Sequence, residues 1–113
     1  MTPYEIYFIT TELCENGKLF DYIITDIYSM MHHEGKMKDH LARRLFMDIL
    51  EAVKFLHING VCHRNIKLEN IVITSDFRVK LCDFSFTAQY IGKNAQKLVE
   101  ICGTPLYMGP EFY

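Results

Sequence analysis

Hydrophobic positions follow a helical period most clearly in the middle of the chain. From Asp39 onward, apolar residues recur every three or four positions with charged residues between them, and Gly60 ends the run. The recurring positions are Leu41, Leu45, Ile49, Val53 and Leu56. This spacing puts them on one face of an α-helix, and a glycine often follows a helix end. We therefore predict a long amphipathic helix between Asp39 and Gly60.

Shorter apolar runs on both sides of this helix have the composition of strands. Residues 4–11 are rich in aromatic and β-branched side chains and precede Glu15-Asn16-Gly17, so they predict a strand that leads to a turn. Residues 71–73 and 79–82 are separated by Thr74-Ser75-Asp76 and predict a hairpin. A short helix is predicted over residues 18–24, and an irregular or helical connection over residues 25–37. The predicted fold class is α+β.

Composition and charge exclude several classes of protein. The chain has 113 residues, of which 50% are hydrophobic, with only 6 Gly and 3 Pro, so it is long enough for one modest folded domain and is not a disordered linker. Its formal net charge of -2 leaves no basic surplus for nucleic acid, and no apolar run reaches the 18 residues that span a membrane. We expect neither nucleic acid nor membrane as a partner.

The cysteines indicate a reducing compartment. The four cysteines are far apart in the sequence, with no C-x-x-C pair and no histidine at zinc-finger spacing. The start of the chain lacks the basic and apolar regions of a secretory signal. We expect an intracellular, cytoplasmic protein with reduced thiols.

Chemistry is concentrated at the two ends of the predicted hairpin. A polar loop, residues 63–70, precedes the hairpin, and Asp83 follows it. Asn70 and Asp83 offer the hard oxygen ligands that Mg²⁺ prefers, and Lys67 offers a point charge for a phosphate. These residues favour a function in phosphate handling.

Three motifs carry a resemblance to a known family. His63-Arg64-Asn65-Ile66-Lys67-Leu68-Glu69-Asn70 resembles the catalytic-loop pattern H-R-D-x-K-x-x-N of protein kinases, Asp83-Phe84-Ser85 resembles D-F-G, and Gly109-Pro110-Glu111 resembles A-P-E. Upstream, residues 8–17 resemble the hinge strand and residues 19–23 the helix after it. Lys67 and Cys102-Gly103-Thr104-Pro105 are similar to the serine/threonine branch, closest to its calmodulin-dependent and phosphorylase-kinase-like group.

The resemblance implies a protein kinase-like domain fragment over residues 1–113, mostly the helical larger lobe. Its parts are a hinge strand and turn (1–17), helices (18–60), the catalytic loop and hairpin (61–82) and the activation segment (83–113). Nothing before the hinge resembles a glycine-rich loop, so we expect a central fragment that runs from the hinge to the A-P-E-like motif. We also expect the apolar face of the long helix, from Leu41 to Leu56, to lack most of what it would pack against, and the fragment to be unstable alone.

The resemblance also implies roles for individual residues, with ATP and Mg²⁺ as cofactors. Glu12 and Cys14 would meet the adenine through their backbone, beside Thr11 as gatekeeper and Val72 on the pocket floor. Lys67 would neutralise the transferred phosphate, and Asn70 with Asp83 would hold Mg²⁺. The regulatory residues would be Arg64, Glu100 and Thr104. Arg64 would pair with a charge on the activation segment, and Glu100 lies close to where many relatives carry a phosphorylated threonine.

Asn65 is the central departure from the family pattern. It stands where the family has the catalytic aspartate, and an amide carries no negative charge and is a poor base. General-base assistance is typically worth about 10² to 10⁴ in rate, so the chain is expected to be an impaired serine/threonine kinase that phosphorylates protein hydroxyls. The alternative is an inactive pseudokinase-like module that binds nucleotide or a partner kinase chain. The sequence leaves open whether the chain is an enzyme, and whether its partner is a protein substrate or a partner kinase.

Overall fold

Two helices and four short strands make up the regular structure of the described residues. A computed structural model describes residues 4–30, 37–92, 95 and 97–112. The helices are α1 (Leu19–Met30) and α2 (Asp39–Ile58), and the strands are β1 (Val61–Cys62), β2 (Ile71–Ile73), β3 (Val79–Leu81) and β4 (Ala88–Gln89). Short 3-10 turns lie at Leu68–Asn70, Pro105–Tyr107 and Pro110–Phe112. This mixture of helices and small antiparallel sheets confirms the predicted α+β class.

The two helices form where the sequence predicts helices. Helix α2 covers the predicted amphipathic run, and after it the Gly60 N–H donates to the carbonyl of His57 at 3.0 Å. Helix α1 continues to Met30 and is therefore longer than the predicted helix over residues 18–24. It takes up the first part of the predicted connection over residues 25–37. Residues 31–36 of that connection lie outside the part of the chain that the structure describes.

The predicted hairpin is confirmed as β2 and β3. The two strands are antiparallel, with Ile71 opposite Leu81 and Ile73 opposite Val79. Ile71, Ile73 and Val79 are buried, so one face of this ribbon packs against the helices. The hairpin thereby fixes the positions of the loop before it and of Asp83 after it.

The core lies between this ribbon and the two helices. Its buried members are Leu19, Leu45, Ile71, Ile73 and Val79, with partly buried residues such as Leu41 and Ile49 packed around them. An ion pair closes one side, where Arg78 Nε donates to Asp48 Oδ2 at 2.8 Å. The same carboxylate oxygen accepts a hydrogen bond from the Val79 backbone N–H at 3.2 Å, so it ties α2 to β3.

The predicted strand over residues 4–11 is absent. These residues form no strand and are exposed: Tyr4 is 97% and Phe8 90% accessible. A strand needs a neighbour for its backbone hydrogen bonds, and no other described residue pairs with this segment. The turn that follows is confirmed, since the Gly17 N–H donates to the Cys14 carbonyl at 3.2 Å.

Apolar surface on α2 is exposed, although not on the expected face. The predicted face is buried or half-buried, because β1 and β3 pack against α2. The exposed large side chains of α2 are Phe46, Met47, Leu50, Phe55 and Ile58. The radius of gyration is 17.3 Å, against the roughly 13 Å of a compact domain of this length. Within the described ranges, neither helix is both long and apolar enough to cross a bilayer.

Candidate functional site

A buried histidine organises the polar loop, residues 63–70. His63 is only 2% exposed, its Nε2 donates to the Cys82 carbonyl at 3.0 Å, and its Nδ1 accepts from the Asn65 N–H at 3.3 Å. The ring also contacts Phe84, with the ring centroids 5.0 Å apart. Since both ring nitrogens are used inside the fold, His63 is a scaffold residue that joins the polar loop to the end of the hairpin.

Asn65 and Asn70 are held together at the base of this loop. Both are 6% exposed, and Asn70 Nδ2 donates to the Asn65 carbonyl at 2.9 Å. The Asn70 carbonyl in turn accepts from the Cys82 N–H at 2.9 Å. The backbone of Asn70 therefore lies next to the chain that leads into Asp83.

The side chain of Asn65 also contacts the segment formed by residues 97–112, here called the C-terminal segment. Thr104 Oγ1 donates to Asn65 Oδ1 at 2.9 Å. The one acceptor oxygen of the amide is thus engaged by a hydroxyl from a distant part of the chain. Gly103, just before Thr104, has φ of +117°, and a Cβ there would lie 2.9 Å from the Arg64 carbonyl.

Arg64 bridges three parts of the site. Its backbone is in the left-handed region, with φ of 64°. Its Nε donates to the Phe86 carbonyl at 2.6 Å, and a terminal nitrogen lies 3.5 Å from a carboxylate oxygen of Glu100. The Arg64 side chain is 17% exposed, whereas that of Glu100 is 76% exposed. The structure therefore brings together two of the residues for which a regulatory role is expected.

Asp83 is exposed at the end of the hairpin, with its backbone at φ of 60°. Its Oδ1 accepts hydrogen bonds from the Ser85 hydroxyl at 2.6 Å and from the Ser85 N–H at 3.4 Å. The hydroxyl hydrogen bond is the main reason that the pKa of the Asp83 carboxyl lies below its ordinary value. The carboxylate form is therefore favoured, and its second oxygen remains available.

The oxygen atoms of Asn70 and Asp83 fit the requirements of Mg²⁺. Mg²⁺ takes oxygen ligands and is usually held by one or two protein groups together with water and phosphate oxygens. The Asn70 amide uses its nitrogen in the fold, which leaves its oxygen free, and Asp83 is ionised. Within the described part of the chain, no group of three or more His, Cys, Asp and Glu side chains is placed to hold a metal.

Lys67 is half-buried and has extended backbone, with φ of -157° and ψ of 164°. Its positive charge is among the smaller causes that lower the pKa of Asp83. Lys67 therefore lies within electrostatic range of that carboxylate.

The backbone that follows the residues expected to meet adenine lies beside β2. The backbone of residues 16–18 runs antiparallel to β2, and the Asn16 N–H donates to the Ile73 carbonyl at 3.1 Å. Val72 is half-buried on β2, with Lys18 on one side and Lys80 of β3 on the other. Glu12 accepts a 2.5 Å hydrogen bond from Lys80 on β3. Thr11 is exposed.

The structure has four free thiols, those of Cys14, Cys62, Cys82 and Cys102. Burial is the main reason that the pKa of the Cys82 thiol is raised. Cys82 is therefore held in its neutral form directly before Asp83.

A cleft of about 360 Å³ opens between the polar loop and the C-terminal segment. Arg64 and Asn65 line it from the loop, and Glu100 and Thr104 from the segment. Its apolar lining includes Ile66, Leu98, Tyr107, Met108 and Phe112. The cleft thus places the Asn65 side chain beside a largely apolar recess.

Several site contacts carry no signal in the sequence. The Ser85 hydroxyl, expected only as a substitute for glycine, is the main hydrogen-bond donor to Asp83, and the positive φ falls on Asp83 rather than on Ser85. Tyr107 donates to Glu69 at 3.3 Å, and Leu98 lines the cleft. Ser85 and Glu69 lie in motifs, but their contacts do not follow from those motifs. The positions of Tyr107 and Leu98 depend on how the C-terminal segment folds over the polar loop.

Comparison with known proteins covers the whole chain. The sequence model of the family described as "Protein kinase domain" matches residues 1–113. The phosphorylase b kinase gamma catalytic chain, liver/testis isoform, of Rattus norvegicus is 35% identical over 104 residues, 92% of this chain and 23% of that protein. The serine/threonine protein kinase OSK3 of Oryza sativa subsp. indica is 36% identical over 110 residues, 97% of this chain and 20% of that protein.

A third relative, the serine/threonine-protein kinase SIK1 of Mus musculus, is 34% identical over 113 residues, 100% of this chain and 13% of that protein. The chain therefore spans less than a quarter of the length of each of these relatives.

Proposed function

The chain belongs to the protein kinase domain family, in its serine/threonine branch, and we propose that it retains the phosphate- and metal-facing residues of such a domain while Asn65 weakens phosphoryl transfer. That this chain shares the kinase activity of its longer relatives is part of the proposal. The observation that carries it is the buried amide of Asn65, hydrogen-bonded to Thr104 where the family has a carboxylate.

The residues that would face metal and phosphate support the first part of the proposal, that the chain retains these groups of a kinase domain. Asn70 and Asp83 would hold Mg²⁺, which supplies neutralising charge to the phosphates of ATP. Lys67 would place a second positive charge near the transferred phosphate. Transfer of a phosphoryl group relies mostly on positioning and charge, so these three residues can support residual transfer to a protein hydroxyl.

The chemistry of Asn65 supports the second part of the proposal, that phosphoryl transfer is weakened. A carboxylate at this position would accept the proton of the substrate hydroxyl, whereas the amide nitrogen can only donate and the amide oxygen is already bonded to Thr104. Loss of such assistance typically costs about 10² to 10⁴ in rate.

The remaining roles belong to the same proposal. ATP would place its adenine against the backbone of Glu12 and Cys14, with Thr11 and Val72 bounding the pocket. The elements from residue 18 onward would correspond to the larger lobe of the family, and residues 83–113 to its activation segment. The intracellular, cytoplasmic location stays an expectation, which the free thiols support.

The pairing of Arg64 with Glu100 supports a regulatory role for both residues, together with Thr104. A fixed carboxylate beside the arginine would order the activation segment without phosphorylation, with less charge than a phosphate brings.

A second candidate function is a pseudokinase-like module that binds nucleotide or a partner kinase chain without turnover. The neutral side chain of Asn65 favours it. The two candidates differ in whether a carboxylate at position 65 restores transfer.

The test is transfer of radiolabelled γ-phosphate from ATP to a mixed serine/threonine peptide by the 113-residue chain and by Asn65→Asp. We expect Asn65→Asp to raise transfer by about 10² or more. The double variant Asn65→Asp with Asp83→Asn is the control and should lose the gain. No gain in Asn65→Asp would overturn the proposal that Asn65 limits the rate, and Mg²⁺-dependent ATP binding without gain would favour the pseudokinase-like module.

A further inference from the structure

Residues 4–13, here called the N-terminal segment, have few ties to the rest of the fold. They form no strand, and their large side chains are exposed, with Phe8 90% accessible. The backbone hydrogen bonds to β2 start only at Asn16, after this segment. Among the described residues, the ion pair between Glu12 and Lys80 is the single hydrogen bond or ion pair that joins the N-terminal segment to another part of the chain.

Lys80 lies on the outer face of the β2–β3 ribbon, together with Val72. Ile71 and Ile73 face the core, and because side chains alternate along a strand, Val72 between them faces away from it. Residues directly opposite each other in an antiparallel pair share a face, so Lys80 lies beside Val72 on this outer face. The ion pair between Lys80 and Glu12 therefore forms next to the residue that would bound the nucleotide pocket.

The two charges of this pair interact directly. Lys80 Nζ donates to Glu12 Oε1 at 2.5 Å, and this hydrogen bond is the main reason that the pKa of the Lys80 ammonium lies above its ordinary value. The side chains are 44% and 63% exposed, and an ion pair of this kind changes an equilibrium by about fivefold at most. That effect is small against the unfolding of the whole chain. It is large enough to govern the local motion of a segment that has no other such tie among the described residues.

We propose that Lys80 is a positioning residue, whose ion pair with Glu12 docks the end of the N-terminal segment against the β2–β3 ribbon. Docking holds the backbone of Glu12 and Cys14 where the adenine of a nucleotide meets it. This step rests on the proposed function, since it takes ATP as the ligand, whereas docking itself requires no nucleotide. The apparent affinity for ATP is then reduced by the fraction of molecules in which the segment is docked.

Charge reversal at each partner separates docking from simple attraction of ATP. Lys80→Glu and Glu12→Lys each put two like charges together and should undock the segment. The two variants change the net charge in opposite directions, so direct attraction of an anionic nucleotide predicts weaker binding by Lys80→Glu and tighter binding by Glu12→Lys. Docking predicts weaker binding by both. The double variant restores an opposite pair at the net charge of the unmodified chain.

Backbone ¹⁵N relaxation of the 113-residue chain without nucleotide measures docking. We expect the order parameters of residues 10–13 to be near those of rigid backbone, about 0.8, in the unmodified chain and below about 0.6 in each single reversal. The double variant should retain the order, as should Lys80→Arg, which keeps the positive charge. Lys54→Glu makes the same charge change at an exposed position of α2 and is the control.

Titration with a fluorescent ATP analogue and Mg²⁺ measures the consequence for the nucleotide. The Kd should rise about two- to fivefold in Lys80→Glu and in Glu12→Lys, and it should return close to the unmodified value in the double variant. Lys54→Glu should leave the Kd nearly unchanged. Circular dichroism checks that each variant keeps its helix content.

Order parameters that are low already in the unmodified chain, or that stay high after both charge reversals, would overturn docking. Tighter binding by Glu12→Lys would overturn the role of docking in presenting the backbone to ATP, as would single variants that undock without a change in Kd. Absence of ATP binding by the unmodified chain would contradict the proposed function and with it the nucleotide role. The relaxation data would still decide whether Lys80 docks the segment.

Discussion

Thr104 Oγ1 and Asn65 Oδ1, 39 positions apart in the chain, lie 2.9 Å apart and share a hydrogen bond. This bond joins the polar loop to the C-terminal segment at the mouth of the cleft. It also engages the acceptor oxygen of the Asn65 amide.

Replacing Thr104 by valine should loosen the C-terminal segment. The change keeps the shape of the side chain but leaves the buried Asn65 oxygen without its donor, at a cost of about 1 to 2 kcal/mol. We expect lower stability in urea unfolding and faster amide exchange over residues 97–108. Thr104→Ser keeps the hydroxyl and should behave nearly as the unmodified chain, and equal exchange in both variants would contradict the role of the hydroxyl.

Gly103 should tolerate alanine much less well than Gly17. At Gly103, φ is +117° and an added Cβ would lie 2.9 Å from the Arg64 carbonyl, so the backbone of one of the two segments must move. At Gly17, φ is +67° and nothing lies within 4 Å of an added Cβ. We expect Gly17→Ala to cost about 1 kcal/mol and Gly103→Ala about 2 kcal/mol or more, measured by urea unfolding. Equal costs would show that the contact with Arg64 adds nothing.

Removing the charge of Glu100 should free the segment around Lys97. The ion pair with Arg64 is exposed on the glutamate side, so its effect on global stability is small, at most about 1 kcal/mol. Local opening is the sensitive readout, and we expect trypsin to cleave after Lys97 several-fold faster in Glu100→Gln. Glu111→Gln, which alters another exposed carboxylate of the C-terminal segment, is the control. Unchanged cleavage and unchanged phosphoryl transfer in Glu100→Gln would remove its proposed regulatory role.

The carboxylate of Asp48 should make the free energy of unfolding depend on pH. The hydrogen bond from Arg78 is the main reason that the pKa of the Asp48 carboxyl is lowered. A carboxyl with a lower pKa in the folded state stabilises the fold above its unfolded pKa of about 3.9, and this contribution is lost as pH falls through the folded value.

Asp48→Asn should therefore be less stable at pH 7, by about 1 to 3 kcal/mol, and the difference from the unmodified chain should shrink as pH falls through the lowered pKa of the Asp48 carboxyl. Urea unfolding from pH 2 to pH 7 measures both curves. Asp39→Asn, at an exposed carboxylate in the first turn of α2, is the matched control. Parallel curves for Asp48→Asn and the unmodified chain would contradict the assignment.

The elements that depend on local pattern were predictable from the sequence. Helix α2 follows from the spacing of Leu41, Leu45 and Ile49, and the hairpin follows from two β-rich runs around a turn. The segment 4–11 has equally strong strand composition but forms no strand, because a strand also depends on the neighbours that pair with it. Local composition therefore predicts what a segment prefers, and tertiary pairing decides whether it is formed.

The residues of the candidate site also fall into two groups, those that the sequence predicts and those that depend on tertiary contacts. The fixed spacing of Asn65, Lys67 and Asn70 in a motif makes them recognisable in the amino-acid sequence alone. The contact of Thr104 with Asn65 and the lining by Leu98 were not predictable, since they depend on how one irregular segment lies over another. Ser85 was visible in the sequence, but neither its hydrogen bond to Asp83 nor the left-handed backbone of Asp83 was.

The wide spread of the chain has a consequence for its behaviour in solution. A radius of gyration of 17.3 Å is that of a compact domain of about 230 residues, roughly twice this length. A monomer should therefore elute from a sizing column near the position of a compact protein of double its mass. Elution volume alone would therefore suggest a dimer. Light scattering measures the molar mass directly and distinguishes an extended monomer from a dimer.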